Sequence, residues 1–348
     1  MNQLLAEALR GRRLLVTGAT GFTGGHLALA LARAGCRVRA FVRDPGALHP
    51  ELQHVVEISQ GDIRDRRAVD SAVAGCTHVF HLAAIFRDAS VRRATYTEVN
   101  ASGTQHVLDA CERYGVQRLI HCSTVGVHGH VREVPASENA PFNPGDDYQR
   151  SKLEAEQRVW DWFARTNIET TVVRPAGIHG PGDMRFLKLF RGIQRGYFIM
   201  LGSGRTLYHV VFIDDAVQVF LRAAVADTAV GEAFHACGPR YVSLNDLVAV
   251  IAQVIGARPP WMRLPVWPVY VAGALMEAVC VPLGKNPPLY RRRVDFFTHN
   301  RAFSIAKAQQ LLGYEPQIDL EQGIRATADW YQQQGLLSLN VARADSPS

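Results

Sequence analysis

The segment Leu14-Leu15-Val16-Thr17-Gly18-Ala19-Thr20-Gly21-Phe22-Thr23-Gly24 runs from a β-rich apolar stretch through three evenly spaced glycines into a helical pattern. Few folds accept such a sequence. Gly18 allows a tight turn, Gly21 lets the backbone approach a pyrophosphate, and Gly24 lets the helix pack closely on a sheet. The helix start presents free N–H groups and a positive dipole end to phosphates. The spacing alone also occurs in structural turns. Its place after a strand and at the head of a parallel-sheet pattern is the context of a dinucleotide site.

That pattern continues. Strands are expected at Arg13–Thr17, Val38–Val42, His78–Leu82, Arg118–Ser123 and Glu169–Arg174, with helices at Gly24–Ala34, Arg66–Ala74, Thr95–Tyr114 and from Asp147. Alternation of this kind predicts an α/β protein, a Rossmann-type doubly wound parallel sheet with helices on both faces. Past Pro175, glycines and prolines become frequent and helices are expected at Phe186–Arg195, Asp214–Ala224, Ser243–Ile255, Ser304–Leu312 and Leu320–Gln334. The expected organisation is a dinucleotide-binding domain over 12–175, a smaller C-terminal substrate-binding lobe over 176–336 that interleaves with it, and a disordered tail over 337–348.

Composition bounds the partners. The 348 residues, 47% of them hydrophobic, suffice for one large α/β domain with an appended lobe. The 38 basic residues are dispersed and the net charge is +6, which does not argue for nucleic acid. Cys36, Cys76, Cys111, Cys122, Cys237 and Cys280 form no Cys-x-x-Cys pair, so reduced thiols in a cytoplasmic protein are expected. Residues 1–13 lack the apolar core of an export signal.

Tyr148 and Lys152 stand four residues apart, on one face of a helix. A phenol is a poor base near neutral pH, and a neighbouring ammonium favours the phenolate. The pair can then move a proton while a hydride moves elsewhere. At the end of the second strand, Val42 stands where NAD-binding chains usually carry an acid, and Arg43 follows. An arginine there pairs with a 2′-phosphate, so NADP(H) is favoured over NAD(H); the alternative is a solvated Arg43 with Asp44 on the ribose.

Taken in order, Thr17-Gly18-x-x-Gly21-x-x-Gly24, Gly61-Asp62-Ile63, His81-Leu82-Ala83-Ala84, Asn100-x-x-Gly103-Thr104, Cys122-Ser123-Thr124, Tyr148-x-x-x-Lys152 and Arg174-Pro175 resemble the extended short-chain dehydrogenase/reductase family. That family includes nucleotide-sugar epimerases and dehydratases, 3β-hydroxysteroid dehydrogenases and dihydroflavonol reductases. The resemblance implies that Asp62 and Ile63 meet an adenine ring, that Ala83 and Ala84 line the cofactor ribose, and that Thr17, Thr20, Phe22, Thr23, Leu82 and Pro175 complete the cofactor site. Tyr148 is then the proton donor or acceptor, and Lys152 holds the nicotinamide ribose and depresses the tyrosine pKa. Thr124, four residues before His128-Gly129, polarises the substrate oxygen, with Ser123 as backup. Asn100 supports the site, or is a surface helical asparagine. No metal is required.

Val125-Gly126 follows Thr124 where the dehydratases carry Asp-Glu, and Tyr208 stands where sugar-nucleotide enzymes usually carry an arginine, although Arg205 is close. With a C-terminal segment resembling the hydroxysteroid branch, these departures lead to an oxidoreductase acting on a bulky apolar secondary alcohol or ketone. The alternatives are a nucleotide-sugar epimerase with tightly bound NAD and a non-catalytic NADP-sensing protein. The apolar stretch 261–283, interrupted by Pro265, Pro268 and Glu277, is too broken to span a membrane. It has three readings: peripheral membrane contact, a cap on the substrate pocket, or a buried core helix. The helices around 95–114 and 148–165 resemble those of the family's dimer interface, so a homodimer is expected.

Overall fold

A computed structural model describes residues 2–87, 91–280 and 291–338. Residues 281–283 of the apolar stretch and 339–348 of the tail lie outside the described residues.

Seven strands form one parallel sheet: β1 (Arg13–Thr17), β2 (Arg37–Val42), β3 (Glu57–Gln60), β4 (His78–His81), β5 (Arg118–Cys122), β6 (Glu169–Pro175) and β7 (Glu232–Ala236), in the order β7-β6-β5-β4-β1-β2-β3. The chain runs from β1 outward to β3, then returns and builds the other half from β4. The direction of winding therefore reverses between β1 and β4, where doubly wound sheets open a crevice at the carboxyl ends of their strands.

The inner strands are buried on both faces because helices cover both. Alternate residues feed separate cores. Leu14, Val16, Phe80, Ile120 and Val173 pack with Leu27 and Phe220 on one face. Leu15, Val79, Leu119 and Val172 pack with Val107 and Trp162 on the other. A third core joins the helices Leu187–Gln194, Leu244–Val254 and Leu320–Gln333 through Phe190, Ile251, Ile324 and Tyr331.

Some elements depart from the expected pattern. Edge strand β3 is polar and mostly exposed, so it carries no apolar signature. Strand β7 comes from the second half, where segments returning to the sheet are expected, and pairs with β6 throughout its length. The helix expected over Thr95–Tyr114 is broken: Arg93–Tyr96 is α-helical, Thr97–Ser102 is π-helical, and Gly103–Arg113 resumes as α-helix. The apolar stretch does form a helix, Val266–Cys280, but only Gly273 in it is buried, which overturns the core-helix reading. Among the described residues no helix is long and apolar enough to cross a membrane.

Candidate active site

The expected cofactor residues gather at the carboxyl ends of β1 to β4. A cleft of about 230 Å³ is lined by Gly18, Thr20, Gly21, Arg43, Asp62, Ile63, Leu82, Ala83 and Ala84. Phe41, Val42, Gly61, Ile85 and Val99 also line it. Val42 and Gly61 stand in stretches the sequence already places at the cofactor; Phe41, Ile85 and Val99 were not anticipated, and nothing local marks Ile85 or Val99. Thr17, Phe22, Thr23, Gly24, Tyr148, Lys152 and Pro175 lie outside that lining. Pro175 closes β6 opposite Ala236.

The glycines are dictated by close approach. Gly18 has φ +75°, and a Cβ there would stand 2.8 Å from the Ala83 nitrogen. The turn is thus pressed against the strand-end loop of β4. A Cβ on Gly24 would fall on the Gly18 carbonyl oxygen, so this glycine lets the helix Phe22–Arg33 close on its own turn rather than on the sheet. Gly21 is the helix N-cap and contributes no side chain. That leaves an open backbone cradle at a helix N-terminus, which suits a pyrophosphate.

A directed chain of hydrogen bonds holds the Leu82–Ala84 loop. Thr17 Oγ1 accepts from the backbone N–H groups of Leu82 and Ala83, each at 3.1 Å. Both its lone pairs are then engaged, so its proton goes to His81 Nδ1 at 2.8 Å. His81 is therefore the Nε2–H tautomer. It donates to Thr104 Oγ1 at 2.9 Å, and Thr104 donates to the Asn100 carbonyl at 2.6 Å. Burial and the nearby Lys152 hold His81 neutral, with its pKa lowered to about 3. His81 and Thr104 appeared in the sequence motifs without this role.

Asn100 is fully buried in the π-helical stretch, not on the surface. Its Oδ1 accepts from Ile85 N at 2.8 Å, and its Nδ2 donates to Ile85 O at 3.1 Å and to Ser151 Oγ at 2.9 Å. Ser151 in turn donates to the Tyr148 carbonyl at 2.8 Å.

Tyr148 and Lys152 sit in the first turns of the helix Asp147–Phe163, capped by Asp146, whose carboxylate accepts from Gln149 N at 2.8 Å. Lys152 is buried and its Nζ donates to the Cys122 carbonyl, at the end of β5, at 2.6 Å. One turn on, Glu156 pairs with Arg174 of β6, both buried. The helix is therefore fastened across the ends of β5 and β6. Thr124 follows β5 and is half-buried, with Oγ1 accepting from Gly126 N at 3.1 Å, so its proton stays available to another oxygen. Ser123 is buried, and its Oγ has no hydrogen-bond partner among the described residues. A Cβ on Gly126 would meet both Thr124 Oγ1 and Gln149 Nε2, which places the Thr124 turn beside the start of the Tyr148 helix.

Burial pushes the Tyr148 phenol well above its ordinary value, and the cations Arg87 and Arg185 oppose it. Lys152 gives one of its three N–H groups to the Cys122 carbonyl, and burial lowers its own pKa. Arg87 lies 6.0 Å from the Tyr148 ring centre and pairs with Asp146 at 2.8 Å. Arg185 pairs with the buried Asp183 and lies 5.2 Å over Phe22 and 5.5 Å over Phe86. Phe86 meets Tyr148 edge to face at 5.0 Å. The two arginines were not anticipated, because each is contributed by a loop outside the recognised motifs.

A sequence model of the NAD dependent epimerase/dehydratase family matches residues 14–237, which hold the cradle and the Tyr148 helix together. The chain belongs to this family. Short-chain dehydrogenase/reductase family 42E member 1 of Danio rerio is 32% identical, over 92% of this chain and 88% of that protein. The 3 beta-hydroxysteroid dehydrogenase/Delta 5-->4-isomerase of Mycobacterium tuberculosis is 31% identical, over 96% of this chain and 94% of that protein. N-acetyl-alpha-D-glucosaminyl-diphospho-ditrans,octacis-undecaprenol 4-epimerase of Escherichia coli O157:H7 is 30% identical, over 91% and 94%. Among solved structures, gox2253 superposes with a TM-score of 0.81 at 27% identity, covering 94% of this chain and all of that one. The protein is thus an NAD(P)-dependent oxidoreductase of the extended short-chain dehydrogenase/reductase type.

Proposed function

We propose that the enzyme moves a hydride between a nicotinamide and a bulky apolar secondary alcohol or ketone, with NADP(H) preferred over NAD(H). The cofactor would lie in the β1–β4 cleft, its pyrophosphate at the start of the Phe22–Arg33 helix and its adenine beside Asp62 and Ile63; bound there, the nicotinamide supplies the hydride acceptor. In the oxidative direction Tyr148, as phenolate, takes the hydroxyl proton of the substrate. Thr124 donates a hydrogen bond to the same oxygen, and Lys152 fixes the helix that carries Tyr148 and supplies positive charge behind it.

The observation that carries this reading is the absence of a carboxylate next to Thr124: Val125 is buried, and Gly126 is packed between Thr124 and Gln149. Nothing there removes a second proton to eliminate water. The lean to NADP(H) is supported by Arg43 in the cleft wall and by Asp44, whose carboxylate accepts from Gly46 N and caps the following turn.

A second reading, a sugar-nucleotide epimerase that reuses one tightly held NAD, draws support from the epimerase relative. A panel of sterols, flavonoid-like ketones and UDP-sugars, assayed with and without added NADPH or NADH, separates the two. Consumption of NADPH with an apolar ketone is expected. Turnover of a UDP-sugar without added nucleotide overturns the oxidoreductase reading. We also propose a homodimer through the Gly103–Arg113 and Asp147–Phe163 helices, which sedimentation of a purely monomeric protein at micromolar concentration would refute.

A further inference from the structure

The Val266–Cys280 helix, apolar but for Glu277, breaks the rule that a helix apolar nearly all round is buried. Trp267 is 70% exposed, Leu275 64% and Val279 62%. At about 100° per residue, the exposed positions Tyr270, Trp267, Val271, Leu275, Val279 and Met276 follow one another around about 240° of the circumference. The remaining arc holds buried Gly273 and the helix's one acid, Glu277, and the Arg291–Thr298 helix packs against the element. In the strand pair Met200–Leu201 with Arg263–Leu264, Met200 and Leu201 are buried while Leu264 is exposed. Trp261 there is 83% exposed, and Tyr197 just before it is 77% exposed.

Two features select the occupant. A folded partner, such as a second copy, offers a firm face that covers less than half of a helix, whereas an acyl layer wraps around it. Fifteen residues make about 22 Å of helix, too short for the roughly 30 Å of a bilayer core but sufficient for lying in its surface. The flanks are basic. Arg258 and Arg263 precede the helix, and Arg291-Arg292-Arg293 opens the helix behind it, while Glu277 is the only acid between Gly256 and Val294. Exposed tryptophan and tyrosine beside such charge is the composition of a membrane interface.

We propose that the Val266–Cys280 helix lies in the surface layer of an anionic membrane, anchored by Trp261 and Trp267 with Arg258 and Arg263 at the headgroups. The test is flotation of the full chain with vesicles of phosphatidylcholine alone or mixed with phosphatidylglycerol, together with tryptophan emission. Binding to the mixed vesicles with a blue-shifted emission is expected, weakening as salt is added. The Trp267→Glu/Leu275→Glu double variant should bind at least about tenfold more weakly while keeping its circular dichroism and dinucleotide affinity. Failure of the wild-type chain to float with either vesicle overturns the proposal. Equal flotation with both vesicles overturns its anionic part. A concentration-dependent dimer that the double variant abolishes, without vesicle binding, assigns the patch to a second copy instead.

Discussion

Asn100 Nδ2 donates to Ser151 Oγ at 2.9 Å, and this one bond ties the loop after β4 to the helix that carries Tyr148. Because Asn100 also satisfies both backbone groups of Ile85, a single buried amide sets the distance between the cofactor cleft and the proton-transferring phenol. Replacing it by alanine leaves the half-buried N–H and C=O of Ile85 without their partner, a cost of about 1 kcal/mol. Asn100→Ala should lower the unfolding midpoint and lower kcat more than it raises the Kd for the dinucleotide. Unchanged kcat in a stable variant, measured by steady-state assay beside cofactor titration, would show that the amide does not position Tyr148.

The turn at Gly18 makes a sharper prediction. Alanine there meets two obstacles, the positive φ and a Cβ 2.8 Å from the Ala83 backbone. Backbone faces backbone, so no side chain can swing aside. Gly18→Ala should lose dinucleotide binding by roughly a hundredfold or more, with a loss of stability of order 1 to 3 kcal/mol. Gly11→Ala is the control: φ is +82° there too, but nothing lies within 4 Å. It should retain binding. Isothermal titration of both variants with NADPH decides it.

These two sites show what the sequence discloses. The cradle was legible because its glycines answer to backbone geometry and occupy fixed offsets on a strand-turn-helix. Strands β1, β2, β4, β5 and β6 were legible because their apolar runs feed both faces of the sheet. Edge strand β3 buries too little to leave such a pattern. The Thr17–His81–Thr104 chain was hidden, since its members are 64 and 23 residues apart and only pairing of β1 with β4 unites them. Arg87 and Arg185 were hidden for the same reason: charge acts through space, and local spacing carries no record of it. The exposure of Trp267 could not be read either, because composition tells how apolar a helix is and not what stands beside it.

Buried imidazoles set the acid stability. Burial lowers His78, His179 and His209 to about 4 and His81 to about 3. Their folded-state values lie below the unfolded value near 6.5, so the unfolded chain binds more protons between those limits. Stability is complete above about pH 6.5 and is lost as the pH falls toward 4, on the order of 3 kcal/mol for each imidazole held at about 4. Glu138 and Asp215, raised by burial, contribute in the opposite direction. Burial lowers His121, His128 and His235 as well. The buried imidazoles together should dominate, so urea midpoints are expected to fall steeply from pH 7 through 5.5 to 4.5. A flat profile would mean that these histidines open to solvent.

The pH dependence of catalysis isolates the arginines. Tyr148 is pushed up by burial and by the neighbouring Cys122 and Asp146, and pulled down by Arg87 and Arg185. In alcohol oxidation the phenolate is the working form, so kcat rises with pH along an acid limb. Removing a guanidinium leaves burial less opposed and moves that limb to higher pH. Arg185→Gln should therefore lose roughly tenfold in kcat at a pH on the limb and recover as the pH rises, the behaviour of a shifted pKa rather than of a broken site. Because the change also strands the buried Asp183, Arg185→Lys is the companion: it keeps the charge and should restore most of the limb. Tyr148→Phe should lose about 10² to 10⁴-fold at every pH while still binding the dinucleotide. A limb that stays in place in Arg185→Gln would remove Arg185 from the tuning of Tyr148 and leave it to Arg87 or to Lys152, one turn along the same helix.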